Sequence, residues 1–184
     1  MEVTHMEFLF IDFVNSQWYN THKTYAEPLK DPKWMGKFLD YWNIQAELEL
    51  TEDNLRILLD LRMKITHYIE KIFYYNEINQ KDVDQINNYL GLSKVKRKLI
   101  YCNGEYTSQL IPITRDIKWI ISEIAASFVK FLAEYDNERI RICENPDCRW
   151  VFYDESRSRT RRWCDSKCGN LMKVRRFREK QKNK

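Results

Sequence analysis

The spacing of four cysteines near the end of the chain limits what that region can fold into. Cys143 and Cys148 are separated by four residues, Cys148 and Cys164 by fifteen, and Cys164 and Cys168 by three. Two close pairs joined by a hairpin-sized spacer are typical of a tetrahedral zinc site with four thiolate ligands. Four protein ligands leave no coordination position for a catalytic water. The pattern therefore predicts a structural zinc ion, one per chain.

A metal also suits the small size of this region. A module of about 40 residues buries too little apolar surface to be stable by itself. Zinc bound to thiolates contributes about 10–16 kcal/mol, most of it as folding free energy. Two alternatives remain open from the residues alone: four buried free cysteines, and iron held by the same sulfur tetrahedron.

The cysteines predict a treble-clef-like finger over residues 141–184, made of a knuckle, a β-hairpin and a helix. The first pair would form the knuckle around Pro146. The segments "WVFYD" and "RRWC" would be the two strands, joined by "ESRSRT". Cys168 would lie at the start of the final helix, with Asn170 as its cap. Five aromatic residues are expected to form the small core of the finger: Trp150, Phe152, Tyr153, Trp163 and Phe177.

Charge divides the chain into two parts. The whole protein carries +4, but residues 141–184 have 14 Lys and Arg against 6 Asp and Glu, whereas residues 1–140 have 17 against 21. A basic segment of this kind suits a polyanion, and arginine matches phosphate and guanine geometry. The alternative is a solvated basic face without a partner. The residues predicted to contact double-stranded DNA are Arg157, Arg159, Arg161, Arg162, Lys173, Arg175, Arg176 and Arg178.

Residues 1–140 read as a mainly helical domain with one β-hairpin near residues 94–113. Thr51 precedes a long run of apolar residues at helical spacing and is a candidate N-cap. Gly91 would close a shorter helix, and Asn103-Gly104 is the pair that a type I′ hairpin turn favours. The strongly apolar segment 116–135 predicts a buried helix. No Gly or Pro separates it from Cys143, so we expect the finger to follow it without a flexible tether.

Asp12 lies among apolar residues in "FLFIDFVN", where a buried carboxylate needs a partner. Arg56 or Arg62 could supply one, and the pair would then fix how the first helix packs. The other interpretation makes Asp12, Asn15 and Arg62 part of a small-molecule pocket. Under that interpretation the helical domain senses an effector and the finger responds.

The finger sequence also resembles a known family. The stretch from Cys143 through "CGNLMKVRRFR" is similar to CGNR zinc fingers, a bacterial family assigned to stress-induced transcription regulators. That family joins the finger to an N-terminal helical domain called ABATE. The segment "FIDFVNS" near the start of this chain resembles the opening motif of that domain. The resemblance implies zinc on the four cysteines and DNA binding by the finger. Leu171 departs from it, because the arginine of the name motif is replaced there.

Taken together, these features predict a bacterial transcription regulator that binds double-stranded DNA through a structural Cys₄ finger. A small-molecule effector and a homodimer are possible partners. The alternative is a zinc-stapled module that binds protein or RNA without a specific operator. We expect no enzyme, because no nucleophile pattern, phosphate loop or carboxylate–histidine motif occurs. Without a signal peptide or a membrane-length apolar run, we expect the cytoplasm and no membrane partner.

Overall fold

Helices dominate the computed structural model, which describes residues 7–17 and 27–182. The helices are α1 (Leu9–Asn15), α2 (Pro32–Tyr41), α3 (Glu52–Tyr75), α4 (Gln80–Leu90), α5 (Ile117–Glu134) and α6 (Ser166–Lys182). The strands are β1 (Val95–Cys102), β2 (Glu105–Pro112), β3 (Ile140–Ile142) and β4 (Val151–Tyr153). Short 3₁₀ helices cover Pro28–Lys30 and Asn137–Arg139. The prediction of a mainly helical protein with small β-hairpins is confirmed.

The core is built by α1, α3 and α5. Phe10 and Phe13 of α1 are fully buried, as are Leu58 of α3 and Phe128 of α5. Each such side chain contributes roughly 1.5–3 kcal/mol by leaving water. Thr51 caps α3 as predicted, because its hydroxyl accepts from the Asn54 amide at 3.2 Å. In the described part of the chain, no helix is long and apolar enough to cross a membrane.

The predicted hairpin is present as β1 and β2, paired antiparallel with Tyr101 opposite Tyr106. Asn103 has φ +49° and Gly104 φ +86°, the left-handed pair that a type I′ turn requires. Most side chains on both strands are exposed, and within the described residues β1 and β2 pair with each other and with no further strand. This ribbon is therefore an appendage and not part of the core.

The finger hairpin differs from the prediction, because its strands are β3 and β4. Ile140 pairs with Tyr153 and Ile142 with Val151, so the strand that follows α5 replaces "RRWC" as the partner of "WVFYD". The reason is burial: Ile140, Ile142 and Val151 are each at most 4% exposed and belong to the same core as the helices. Residues 161–164 contain one large apolar side chain, Trp163, and form no strand; a bend covers residues 163–165.

The side chain of Asn15 joins α1 to the finger. Its Nδ2 donates to the Val151 carbonyl at 2.9 Å, and its Oδ1 accepts from the Val151 amide at 2.8 Å. The Asn15 amide therefore pairs with β4 as a neighbouring strand would. Tyr153 packs beside it against the rings of Phe8, Phe131 and Tyr135. The finger is thus packed on the helical body, and the predicted division at residue 140 stays a prediction.

The expected ion pair of Asp12 with Arg56 or Arg62 is absent from the described residues. Asp12 instead accepts from the indole Nε1 of Trp42 at 3.0 Å. Arg62 forms a bidentate pair with Glu27, at 2.7 Å for both contacts, and donates to Ser16. Arg56 pairs at the surface with Asp53. An indole N–H satisfies a half-buried carboxylate without the desolvation of a second charge.

Candidate metal centre and basic surface

The four predicted cysteine ligands converge on one point. The ligand atoms of Cys143, Cys148, Cys164 and Cys168 all lie within 4.8 Å of one another. Sγ of Cys164 is 3.6 Å from that of Cys148 and 3.7 Å from that of Cys168. A tetrahedral ion with Zn–S bonds of about 2.3 Å separates its sulfurs by about 3.8 Å. The sulfur positions therefore fit zinc, and the centre holds one structural zinc ion.

Local backbone structure positions the first pair of ligands. Cys143 follows β3, and its amide donates to the Trp150 carbonyl at 2.8 Å, which closes the knuckle. Inside the turn, the Asn145 carbonyl accepts from the Cys148 amide at 2.8 Å. The buried Asn145 side chain also donates to Sγ of Cys168 at 3.4 Å. Such N–H···S contacts orient thiolate ligands and spread their negative charge.

The start of α6 positions the second pair. Asp165 caps this helix, because its carboxylate accepts from the Cys168 amide at 2.8 Å. Asn170 is exposed within the helix, so its prediction as the cap is wrong; a cap must precede the first turn. Gly169 lies under the Trp163 indole, where an added Cβ would come 3.0 Å from Cδ1. The small residue after Cys168 therefore allows Trp163 to cover the centre.

The thiols do not ionise independently. The hydrogen bond from Cys164 lowers the pKa of Cys143 to about 5, whereas burial raises the pKa of Cys148 to about 11. The same bond raises the pKa of Cys164. One thiolate thus opposes the formation of the others, and a bound divalent cation offsets the repulsion among the four. Metal uptake must then release protons, so zinc affinity falls with falling pH.

The family comparison agrees with this geometry. Residues 139–181 match the CGNR zinc finger family. The matched segment begins at the last residue of the second 3₁₀ helix and ends within α6, and it contains all four sulfur ligands. No curated protein matches the chain. The N-terminal resemblance to ABATE domains stays a prediction.

The small core of this CGNR-type finger contains three of the five expected aromatic residues. Trp150, Phe152 and Trp163 pack against the cysteines. Tyr153 packs into the main core instead. Phe177 is 63% exposed on α6, so its predicted place in the core is wrong. It lies more than two helical turns beyond Cys168 and extends past the metal centre.

Four of the arginines predicted to bind DNA have protein partners. Arg161 donates to the carbonyls of Trp163 and Cys164 and lies over the Phe152 ring at 5.1 Å, which braces the loop beside the metal. Three others form ion pairs: Arg159 with Asp136, Arg162 with Glu144, and Arg175 with Asp147. The guanidinium of Arg162 lowers the pKa of Glu144. These three pairs are partly exposed and can exchange for phosphate at little cost.

The other four predicted DNA-binding residues are exposed. Arg157 lies in the loop after β4, and Lys173, Arg176 and Arg178 lie on α6. The described residues provide no ion pair for them, although Arg176 approaches the Trp163 ring at 5.8 Å. Over its whole length, α6 carries seven Lys and Arg and one Glu. The helix is therefore a basic rod that projects from the metal centre.

Three residues that support the finger were not among the predicted site residues. Asn145 contacts a ligand sulfur, as described above. The fully buried Asp154 accepts from the amides of Ser156 and Arg161, and although burial opposes its ionisation, these bonds lower its pKa. Arg149, in a left-handed turn at φ +56°, contacts Tyr74 and Glu70 of α3. The Asn-Pro-Asp run between the first two cysteines is the sequence signal for a tight turn at Asn145.

The predicted effector-binding residues are divided between two cavities. Asp12 and Asn15 line a cavity of about 420 Å³ between α1, α2 and the finger. Arg62 lines a different one, of about 550 Å³, along α3. Arg62 is only 6% exposed, and its guanidinium is engaged by Glu27. The structure thus brings Asp12 and Asn15 together and separates Arg62 from them.

Proposed function

We propose that this protein is a DNA-binding transcription regulator and not an enzyme. The observation that carries the proposal is α6, which places exposed cations on a rigid helix directly after a zinc ligand. Its 17 residues make a rod about 25 Å long, a size that fits the major groove. Duplex DNA attracts such a helix by release of counterions from its phosphates.

Phosphate contacts by α6 make the affinity depend steeply on salt. Each neutralised phosphate contributes about −0.9 to the slope of log K against log salt. The double substitution Lys173→Ala, Arg178→Ala should flatten that slope by about 2. Lys30→Ala, Lys33→Ala removes the same charge from exposed positions on the helical body and should change the slope little. Equal slopes for the two variants would contradict DNA binding by α6.

The same assay separates this proposal from its alternative. A regulator should prefer particular duplex sequences, so a sequence selected from a random pool should compete about 10³-fold or more better than bulk DNA. Equal competition by bulk DNA and structured RNA would favour a zinc-stapled interaction module. If neither nucleic acid binds at low salt, the partner of the basic helix would be a protein.

The exposed hairpin is our candidate for a dimer interface. One face of the ribbon carries Leu99 and Tyr101 of β1 and Tyr106 and Leu110 of β2, which are 55–71% exposed. A two-stranded ribbon is marginally stable alone, and a cluster of exposed apolar side chains is typical of an interaction site. A second copy of the chain fits best along β2, whose only charge is Glu105 at one end. Pairing along β1 would oppose its three consecutive cations.

Molar mass in solution tests this interface. Light scattering coupled to size exclusion should give twice the chain mass, and Leu110→Arg should halve it. Met63→Arg, at an equally exposed apolar position on α3, should leave the dimer intact. A monomer at every accessible concentration would refute the β2 interface.

A further inference from the structure

The cavity between α1, α2 and the finger has aromatic walls. Its lining includes Tyr41 and Trp42 from the end of α2, and Trp150 and Phe152 from the finger. Phe8, Ile11, Val151 and Tyr153 supply further apolar surface. A volume of about 420 Å³ is within the range of sites for small organic molecules. The aromatic faces carry a negative quadrupole, which attracts cations.

Carboxylates outnumber cations in the same lining. Glu7 accepts from the Tyr41 hydroxyl, and one carboxylate oxygen of Asp12 accepts from the Trp42 indole. Among the described residues of the lining, Glu155 is the third acidic residue and Arg161 is the basic one. The Arg161 guanidinium is turned to the carbonyls of Trp163 and Cys164. In the described part of the lining, acidic side chains therefore outnumber basic ones by three to one.

We propose that this cavity binds an organic cation of the quaternary or alkyl ammonium class. Carboxylates and aromatic faces together favour a positive ligand, whereas a bare metal ion would gain nothing from aromatic walls in exchange for its hydration shell. An anionic ligand would face the carboxylates of Glu7 and Asp12. Binding of the cation to the cavity does not depend on the proposed function. A role of the cation as an effector rests on it, because an effector needs a finger whose DNA binding can be regulated.

The position of the cavity gives such a ligand a way to act. Its lining contains Asp12 and Asn15 of α1 and, on the finger side, the metal ligand Cys164. A bound cation would contact both sides of the α1–β4 contact and stabilise the packed arrangement of the finger. Any ligand with a higher affinity for one arrangement shifts the population toward it.

Three probes of similar size test the charge preference on the full-length, zinc-loaded protein. Choline is the cation, 3,3-dimethylbutan-1-ol is its neutral isostere, and benzoate is the anion. Titration calorimetry, with quenching of tryptophan fluorescence from Trp42 and Trp150 as a second signal, should show choline binding at least tenfold tighter than the isostere. Benzoate should bind most weakly. No nucleic acid is present, so the result is independent of DNA binding.

Charge-neutral variants locate the site. Asp12→Asn and Glu7→Gln keep acceptors for Trp42 and Tyr41, and the double variant should bind choline at least tenfold more weakly while keeping its circular dichroism. Glu52→Gln, Asp53→Asn removes an equal charge from exposed positions at the start of α3, outside the cavity, and should bind as the unchanged protein does. Equal affinity for choline and its isostere, preference for benzoate, or no binding of any probe at millimolar concentration would overturn the proposal.

Discussion

Replacing Asn15 with Leu tests whether one amide holds the finger on the helical body. The substitution keeps the branching at Cγ but removes both hydrogen bonds to Val151, at 2.9 and 2.8 Å. A buried backbone group left without a partner costs about 1–3 kcal/mol, so two cost about 2–6 kcal/mol. For a chain of this length, a loss of about 3 kcal/mol lowers Tm by about 6–12 °C.

The measurement is thermal unfolding of the zinc-loaded protein, followed by circular dichroism. Asn88→Leu, at an exposed position on α4, is the matched control and should stay within about 0.5 kcal/mol of the unchanged protein. Hydrogen exchange should show faster exchange at the Val151 amide in Asn15→Leu, with protection retained in α3. A Tm within about 1 °C of the unchanged protein, with Val151 still protected, would refute the role assigned to Asn15.

Three further predictions concern the metal, the glycine beneath Trp163 and a half-buried carboxylate. Cys164→Ser should abolish stoichiometric zinc in metal analysis while most helical ellipticity remains, because α3 and α5 lie outside the finger. Gly169→Ala should destabilise the zinc-bound finger by about 1–2 kcal/mol, although alanine has the higher helix propensity. Gly36→Ala, where no atom lies near the added Cβ, should instead stabilise the protein by about 0.5–1 kcal/mol. Burial raises the pKa of Glu123, so ionisation of this side chain opposes folding. Glu123→Gln should therefore raise Tm at pH 7. The gain should vanish below the ordinary pKa of glutamate, where the side chain is protonated in both the folded and the unfolded protein.

Local signals were enough to predict the zinc ligands and most helices. The spacing of the four cysteines depends on the geometry of one ion. Thr51 caps a helix and Asn103-Gly104 forms a turn through contacts and φ angles within a few residues of themselves. The partner of β4 needed more than local patterns, because it is decided by which strand can bury apolar side chains in the helical core. The alternation in Ile140-Arg141-Ile142 was the available signal for a strand with one buried face.

The roles of single polar residues were the least predictable. Asn15 contacts Val151 from 136 positions away, and an asparagine in an apolar helix gives no indication of its acceptor. The arginines show the same limit. Arg161 braces the loop at Cys164 and Arg178 is exposed, although both lie in similar basic runs. Composition reports their charge, but only the fold decides which donors are already engaged.

The shared cavity also changes where coupling between effector and metal should be sought. The absence of Gly and Pro between α5 and Cys143 suggested that this segment transmits an effect of the ligand to the finger. The segment is instead fixed in place, because Ile140 is 1% exposed and the Asp154 amide donates to the Arg139 carbonyl. The cavity lining includes Cys164, so choline should increase the zinc affinity of the protein.

Linkage requires the reverse effect by the same factor, typically about 5–150-fold. Removing zinc from the protein should therefore weaken choline binding as much as saturating choline strengthens zinc binding. Competition against a chromogenic chelator, with and without choline, measures one side of this cycle, and calorimetry on metal-free protein measures the other. Asp12→Asn, Glu7→Gln should lose the choline effect and retain zinc. If the protein binds choline but its zinc affinity does not change, the cavity and the metal centre are uncoupled. A ligand that binds both arrangements of the finger equally well cannot shift the population between them.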